Sequence, residues 1–384
     1  MYPTKKLKDC STIIAGQSPE SKFYNTDGIG IPFFQGKADF GELYPTIRVY
    51  CSQPIKIAEK DDILLSVRAP VGPTNLSPGT VCIGRGLSAI RPDKSLNLKY
   101  VLYFFRFFEA QLSAEGTGTT FNSITQKTIK ELEIPVPPLS EQERIVARIE
   151  ELFSELDKAV ETLQTTKQQL EVYRQAVLKE AFSNIAAQRT IKEISEIVTS
   201  GSRGWAQFYS DSGAMFIRIG NLRRMGIRIH FEDIQYVNLP NGAEGIRTRL
   251  KPNDVLVSIT ADLGSIGLVP ASISEAYINQ HIALIRFRDS NKAPFYAWYL
   301  RSERGQKDLL KNKRGGGKLG LGLDDIRNTH VPEVSDEEAI EVVNQIDSRL
   351  SVCDSIEQTV DTALAQADAL RQSILKEAFE GRLV

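Results

Sequence analysis

Cysteine and histidine are scarce in this chain of 384 residues, which has four of the former and three of the latter. No two cysteines form a C-x-x-C pair, and the histidines lie too far apart in sequence for the usual metal-ligand spacing. We therefore expect no zinc site, no disulfide framework and a reducing, cytoplasmic environment. The residues concerned are Cys10, Cys51, Cys82, Cys353, His230, His281 and His330.

Long apolar runs are also missing. No stretch approaches the roughly 20 apolar residues that a membrane-spanning helix needs. The first residues, Met1 to Lys6, lack the apolar core of a signal peptide. The sequence therefore predicts no association with a membrane.

Complete catalytic motifs are missing as well. Arg314–Leu319 has the glycines and lysine of a nucleotide-binding loop, but Leu319 stands where a magnesium-binding hydroxyl belongs. The chain has no Asn/Asp-Pro-Pro-aromatic motif, which an amino-methyltransferase would use to hold a flipped base. Asp62 and Asp254 recur at equivalent places and could be catalytic carboxylates, although an aspartate that closes a turn before a buried strand is the favoured interpretation. We expect no catalytic centre in this chain.

Net charge is −1, but the charge is unevenly distributed. Residues 1–134 have 16 basic against 13 acidic side chains, and residues 189–331 have 21 against 14. Residues 135–188 have 6 against 9, and residues 332–384 have 4 against 12. Basic segments are typical of surfaces that contact DNA. Alternatively, the acidic segments are helices that are simply rich in glutamate.

The strongest signal in the sequence is an internal repeat. Arg174–Phe182 recurs as Arg371–Phe379, at an offset of 197 residues. Further upstream, the segment Asp62–Ser66 corresponds to Asp254–Ser258, so the offset drifts to 192. Each copy begins with a part of about 140 residues that is rich in glycine, aromatic and β-branched residues. These parts are predicted to be compact mixed α/β domains.

Short apolar runs indicate the elements of these domains. Asp-bearing turns precede the predicted strands Ile63–Val67 and Val255–Ile259. The runs Tyr100–Phe105 and Phe295–Leu300 are predicted to be apolar helices.

Each copy ends in a predicted long helix, at residues 141–182 and near residues 336–379. Prolines precede Ser140 and Glu143, which have the spacing of a capping box with Ser140 as N-cap. Both helices have apolar residues in steps of four and three, interrupted by charged residues such as Arg174 and Arg371. Neither could bury its stripe alone, so we expect an antiparallel coiled coil. The alternative is two separate amphipathic helices, each lying on its own domain.

Two dissimilar basic domains alternate with two similar helices in this chain, which ends its two copies with the segments Arg174–Phe182 and Arg371–Val384 and joins its first domain to its helix through Ile134–Gln142. In this order the chain resembles the specificity subunit of type I restriction-modification systems, whose closing motif and domain-to-helix junction these segments resemble. The second junction departs from the pattern at Val331–Val334, which leaves the start of the second helix less defined. The resemblance extends over essentially the whole chain.

The resemblance implies four segments: a target-recognition domain at 1–137, a helical spacer at 138–187, a second target-recognition domain at 188–333 and a second spacer at 334–384. Each domain would read one half of a split, asymmetric DNA sequence. The helices would set the spacing of the halves and bind the methyltransferase (M) and restriction (R) subunits. S-adenosylmethionine, ATP and Mg²⁺ would be used by those partners, and this chain would hold no cofactor.

Candidate DNA contacts are side chains that can bind base edges or phosphates, and they cluster more densely in the second domain. Arg218–Arg224 is predicted to be a strand in which Asn221 and Arg223 face the same side. For any single residue, a solvated surface role is at least as plausible as a contact. The candidates are Gln35, Lys37, Arg68, Arg85, Thr119 and Asn122 in the first domain, and Arg203, Arg218, Asn221, Arg223, Gln280, His281, Arg314 and Lys318 in the second.

Two other functions remain open. One is a restriction enzyme whose nuclease or methylase lies in this chain, against which the missing motifs count. The other is a coiled-coil scaffold that binds protein without reading DNA. Salt-dependent binding to mixed duplex DNA would distinguish the scaffold from a DNA-binding subunit.

Overall fold

A computed structural model describes residues 2–115, 123–201, 203–239, 246–314 and 319–384. The chain forms two compact units. Unit 1 comprises Met1–Leu163 and Asp361–Val384, and unit 2 comprises Gln164–Val360. Each unit therefore contains one globular part together with portions of both long helices. The four-segment division stays a prediction about how the sequence is organised.

Unit 1 contains eleven strands among its described residues, and two short helices before the first long one. The strands are β1 (Thr4–Lys6), β2 (Ser11–Ala15), β3 (Tyr24–Asn25), β4 (Ile31–Phe34), β5 (Tyr50–Cys51), β6 (Ile57–Ala58), β7 (Ile63–Ser66), β8 (Thr74–Leu76), β9 (Val81–Ile83), β10 (Leu87–Pro92) and β11 (Glu133–Pro135). The helices are α1 (Leu98–Glu115), α2 (Gln126–Glu131) and the first part of α3 (Leu139–Ala181).

The strands of unit 1 form two larger sheets and one pair. An antiparallel sheet has the order β2-β10-β7-β8, and a second sheet has the order β3-β5-β4-β9-β6. In the second sheet, β4 and β9 run parallel. The outer strands β1 and β11 pair antiparallel and bring the start of the chain next to the entrance of α3.

Unit 2 contains ten strands among its described residues. They are β12 (Ala187–Thr190), β13 (Ser195–Ser200), β14 (Tyr209–Ser210), β15 (Ala214–Ile217), β16 (Gln235–Val237), β17 (Val255–Ser258), β18 (Ile266–Leu268), β19 (Ala276–Ile278), β20 (Ile282–Phe287) and β21 (His330–Pro332). The helices are α4 (Ile191–Ile194), α5 (Ala293–Arg301), α6 (Glu303–Leu309), α7 (Leu323–Arg327) and α8 (Asp336–Phe379), the last of which continues into unit 1.

The topology of unit 2 repeats that of unit 1. The antiparallel sheet β13-β20-β17-β18 corresponds to β2-β10-β7-β8, and the pair β12-β21 corresponds to β1-β11. The remaining sheet, β14-β16-β15-β19, again has a parallel pair, formed by β15 and β19. The mixed α/β fold class and the internal duplication predicted from the sequence are therefore confirmed.

A buried aspartate closes the turn before the central strand in each unit. Asp62 accepts a hydrogen bond from the backbone N–H of Glu59 at 2.8 Å, and Asp254 does so from Lys251 at 2.7 Å. Each carboxylate also accepts two hydrogen bonds from the guanidinium of one arginine on the neighbouring strand. Burial raises the pKa of Asp254, although this ion pair opposes that effect. The turn-closing interpretation of both aspartates fits this geometry.

The long helices begin and end close to the predicted positions. The first, α3, is helical from Leu139, and the N–H groups of Glu141 and Gln142 donate to the carbonyl of Pro138. The prediction of Ser140 as N-cap is therefore wrong, because the helix has already begun there. In α8 the equivalent Ser335 does cap the helix, accepting from the N–H of Glu338 at 3.1 Å.

The two helices run antiparallel to one another within each unit. In unit 2, Arg174 of α3 binds Asp354 and Glu357 of α8 at 2.7 and 2.9 Å. In unit 1, Arg371 of α8 pairs with Asp157 of α3. The charged interruptions of the heptad pattern are thus pairing positions, and the expected coiled coil is supported over separate helices.

An aromatic side chain near the end of each long helix anchors it to a globular part. Phe182, which directly follows α3, packs edge-on against Phe295 and Tyr299 of α5, with ring centroids 5.5 and 5.4 Å apart. Phe379 of α8 packs against Tyr100 and other aromatic rings of α1 in the same way. These contacts explain the repeated closing motif as a packing motif.

Within the described ranges, no helix combines the length and apolar character needed to cross a membrane.

Candidate nucleic-acid interface

Four of the residues predicted in the first domain meet in one cleft of unit 1. Gln35, Lys37, Arg68 and Arg85 all line an open cleft of about 770 Å³. All four are exposed. The cleft combines three cationic side chains with an amide, which suits phosphate and base-edge binding.

The fold explains why residues so far apart in sequence meet here. Gln35 follows β4 and Arg85 follows β9, and these two strands are parallel neighbours. The carboxyl ends of parallel neighbours lie at the same edge of a sheet, so the two side chains are brought together. Arg68 follows β7, and the backbone of Gly86 accepts from the N–H of Val67 at 2.9 Å, which joins the third strand end to the same place.

The same three strand ends carry candidate residues in unit 2. Arg218 follows β15 and Gln280 follows β19, which are again parallel neighbours. Thr260 follows β17 in the position equivalent to Arg68. The sequence analysis did not select Thr260, although the offset of 192 residues that relates Asp62 to Asp254 also relates Arg68 to Thr260.

A loop joins the third strand end in each unit. Arg68 forms a β-bridge with Ser123, and Thr260 forms one with Gly320. The predicted contact residues Thr119 and Asn122 precede the first bridge, and Lys318 precedes the second. These three residues lie outside the described residues, so their predicted roles stay predictions.

Gln280 and His281 form a polar cluster with Thr260. The Nδ1 of His281 is 2.8 Å from the hydroxyl of Thr260, and its Nε2 is 2.9 Å from the amide nitrogen of Gln280. Asn279 accepts from the N–H of His281 at 3.1 Å. Both ring nitrogens of His281 therefore have partners within the protein, so it serves to orient Gln280, whose side chain is half-buried.

Asn221 lies in a different environment from the one predicted. The segment after β15 is not a strand but a 3₁₀ turn, Ile219–Asn221, so the predicted alternation of Asn221 and Arg223 is wrong. Asn221 is 3% exposed, accepts from the N–H of Arg218 and donates to the carbonyls of His230 and Asp233. Its amide is fully used in holding this turn, and we leave it out of the proposed contacts.

The other cationic candidates of unit 2 are exposed. Arg223 lies 3.8 Å from Glu232, with 61% of its side chain exposed. Arg314 is 81% exposed and lies 3.3 Å from Asp325. Arg203 is exposed, and the nearby Gly201 packs so closely on the Ile278–Asn279 backbone that a Cβ would clash with it. Arg203 is thereby placed near the end of β19.

The side chains that could bind a metal ion are dispersed in the described parts of the chain. No group of three or more His, Cys, Asp or Glu side chains there could hold a metal ion. The three histidines lie apart: His281 bonds to Thr260 and Gln280, whereas His230 and His330 are next to Glu232 and Asp308.

Part of the chain matches a known family of domains. Residues 2–172 match the family described as the type I restriction modification DNA specificity domain. A Methanocaldococcus jannaschii protein, named as the specificity subunit of the type I restriction enzyme MjaX, is 40% identical over 167 residues. That alignment covers 43% of this chain and only 38% of the archaeal protein.

Two further similarities extend over more of the chain. The specificity subunit of the type I restriction enzyme EcoBI from Escherichia coli is 25% identical over 338 residues, which is 77% of this chain and 67% of that protein. A structure solved in a study of assembly and conformational transition of the type I R-M system has a TM-score of 0.77 and 19% identity, covering 99% of this chain and 98% of that one. The latter shows a shared fold. Residues 2–172 therefore match the type I restriction modification DNA specificity domain, and the chain as a whole is similar to type I specificity subunits.

Proposed function

We propose that this chain is the DNA-binding specificity subunit of a type I restriction-modification complex. Unit 1 would read one half of a bipartite, asymmetric target, and unit 2 would read the other half. The similarity to type I specificity subunits supports this role, and the equivalent strand ends of the two units provide the surfaces. The chain spans less than half of the first relative, 38% of its length, so its activity and partners are proposals.

One observation carries the proposal. The same three strand ends present Gln35, Arg68 and Arg85 in unit 1, but Arg218, Thr260 and Gln280 in unit 2. The frame is therefore the same while the hydrogen-bonding groups differ. Arginine prefers the O6 and N7 acceptors of guanine, whereas glutamine pairs with adenine through N6 and N7. Two units with the same backbone arrangement but different hydrogen-bonding side chains would select two different half-sites.

The remaining chemistry belongs to partner subunits in this proposal. We infer that methyltransferase (M) and restriction (R) subunits bind the chain, and that S-adenosylmethionine, ATP and Mg²⁺ are used by them. All four cysteines are buried and unpaired, which fits the reducing cytoplasm in which such a complex would act. The purified chain should accordingly show no methylation, nuclease or ATPase turnover, and turnover without partners would contradict this assignment.

The direct test is to select binding sites from random duplex DNA with the full chain. We expect two short, different half-sites separated by unspecified bases. Replacing residues 188–333 with the corresponding segment of another specificity subunit should change one half-site and leave the other. A change in both halves, or in neither, would contradict the assignment of one half-site to each unit.

The protein-binding scaffold is the competing function, and the same preparation separates the two. A DNA-binding subunit loses affinity linearly on a log–log plot as salt rises, because condensed counterions are released on binding. A chain that shows neither duplex binding nor this dependence, while still binding a methyltransferase subunit, would be a scaffold only.

A further inference from the structure

A second basic pocket lies in unit 2, lined in part by Ala261, which directly follows Thr260. It has a volume of about 330 Å³ and is lined by Arg224, Arg301 and Lys313, together with apolar and small residues. Arg301 is the last residue of α5, and Lys313 follows α6. Arg301 was not among the residues predicted to bind DNA, because it ends a helix that is otherwise apolar.

Arg301 is the unusual member of this set. Its Nε is buried and has no hydrogen-bond partner in the described part of the chain. An unpartnered buried donor costs free energy, so native structures rarely keep one without a use. Burial, and after it the nearby Arg224, lower the pKa of the Arg301 guanidinium. The guanidinium stays protonated, and its Nε–H lacks an acceptor.

The wall of the pocket is rigid. Asp262 binds the Nε of Arg224 at 2.5 Å and the hydroxyl of Ser265 at 2.9 Å. Gly264 has a φ of +80°, and the amide of Gln306 donates to its carbonyl at 2.9 Å. The positive φ of Gly264 favours glycine at this turn. Of the three cationic groups, Arg224 is held by its contact with Asp262.

The equivalent arginine of unit 1 has partners within the protein. Arg106 occupies the place of Arg301, since each lies six residues after the corresponding aromatic residue, Tyr100 or Phe295. Its guanidinium donates to the carbonyl of Glu42 at 3.2 Å and lies over the ring of Tyr103 at 5.8 Å. The turn at Gly72 packs against Glu109, a carboxylate, where unit 2 has the neutral Gln306. Arg106 is partnered, and its surroundings disfavour an anion.

We infer that the pocket of Arg224, Arg301 and Lys313 binds one phosphodiester group of the DNA backbone. This inference rests on the proposed function. Three cations without a matching set of carboxylates call for an anion, and a guanidinium fork suits phosphate oxygens. The pocket is also lined by Lys313 and Leu319, which flank the glycine-rich segment 314–318 in the sequence. The contact would position unit 2 on the duplex without sequence preference.

The first test compares the full chain with its R301M and R106M variants in DNA binding at increasing salt. R301M should weaken binding to target and unrelated duplexes by the same factor, roughly tenfold for one charge-assisted contact. It should also lower the slope of log affinity against log salt by about 0.9. R106M is the matched control and should leave the slope unchanged. A parental slope in R301M would overturn the pocket while leaving sequence-specific binding, and thus the proposed function, intact.

The second test needs no DNA. The Nε–Hε signal of Arg301, assigned by its loss in R301M, should shift when inorganic phosphate is added to the ¹⁵N-arginine-labelled chain, and that of Arg106 should not. No shift would overturn the inference. A shift in a chain that binds no duplex would contradict the proposed function and restrict the site to free anions. R301M should melt at the same or a higher temperature, because it removes an unpartnered buried donor; a lower melting temperature would indicate a structural role instead.

Discussion

The two units of this chain differ where they face solvent at the strand ends and agree where they are buried. Asp62 with Arg91 in unit 1 has the same two-pronged geometry as Asp254 with Arg286 in unit 2. At the strand ends, by contrast, Arg85 corresponds to Gln280. The duplicated units thus share the buried residues that stabilise the fold, whereas the residues at their strand ends differ. Specificity can change at such positions without loss of the fold.

Removing the buried aspartates should give the largest difference in stability between the two units. D254A should raise the opening rate of β17 and β20, because Arg286 would be left 12% exposed with no carboxylate. Removing one partner of a buried pair costs about 3–5 kcal/mol. D62A should cost less, since Arg91 is 37% exposed and also binds Glu59 at 3.0 Å.

Hydrogen exchange is the suitable measurement for these two variants, because a chain of two units has no single unfolding free energy. Peptides from β7 and β10 report on unit 1, and peptides from β17 and β20 report on unit 2. Each variant should affect its own unit. Equal losses of protection from D62A and D254A would show that the exposure of the arginine does not set the cost.

The strand ends provide the second comparison. Q280A should relax discrimination at one base of one half-site, by roughly 1–3 kcal/mol if the contact is bidentate. R85A should relax discrimination at a base of the other half-site, or weaken all sequences if Arg85 binds phosphate. Binding to a panel of single-base variants of the selected target measures both. Loss of discrimination in the same half-site from both variants would contradict the assignment of one half to each unit.

Sequence periodicity predicted the long helices and central strands well, but not which residues meet at the candidate site. The long helices were placed within two residues of their observed ends, since a repeat at an offset of 197 residues supports each element twice. The strands at Ile63 and Val255 were found because buried runs follow turn residues. Local sequence patterns predict these helices and strands because each element is determined mainly by residues close to it in the sequence.

The composition of the site depends on pairing between distant strands, which a single sequence does not reveal. Gln35 and Arg85 meet because β4 pairs in parallel with β9. Asn221 was selected as an exposed residue, but a 3₁₀ turn buries its amide under backbone groups. The sequence analysis also missed the ion pairs of Arg174. Arg174 and Arg371 are 197 residues apart, and so are Asp157 and Asp354, which could have indicated that the arginines pair with these aspartates.

The helix pair provides the smallest and most exacting comparison. Arg174 has an 11% exposed side chain between two carboxylates, Asp354 and Glu357. Arg371 is 30% exposed, pairs with Asp157 and lies over the ring of Phe153 at 5.2 Å. The ring replaces the second carboxylate, so the two related arginines have different electrostatic partners. Solvent screens an exposed pair more strongly than one that is largely covered.

We therefore expect R174A to cost about 1–2 kcal/mol of local stability and R371A to cost less than about 1 kcal/mol. Double-mutant cycles should give a larger coupling for Arg174 with Asp354 than for Arg371 with Asp157. Hydrogen exchange in the adjoining helix segments measures both cycles, and raising the salt concentration should reduce the second coupling more than the first. If both couplings are equal and fall together with salt, burial of Arg174 contributes nothing, and the two halves of the helix pair are energetically as alike as their sequences.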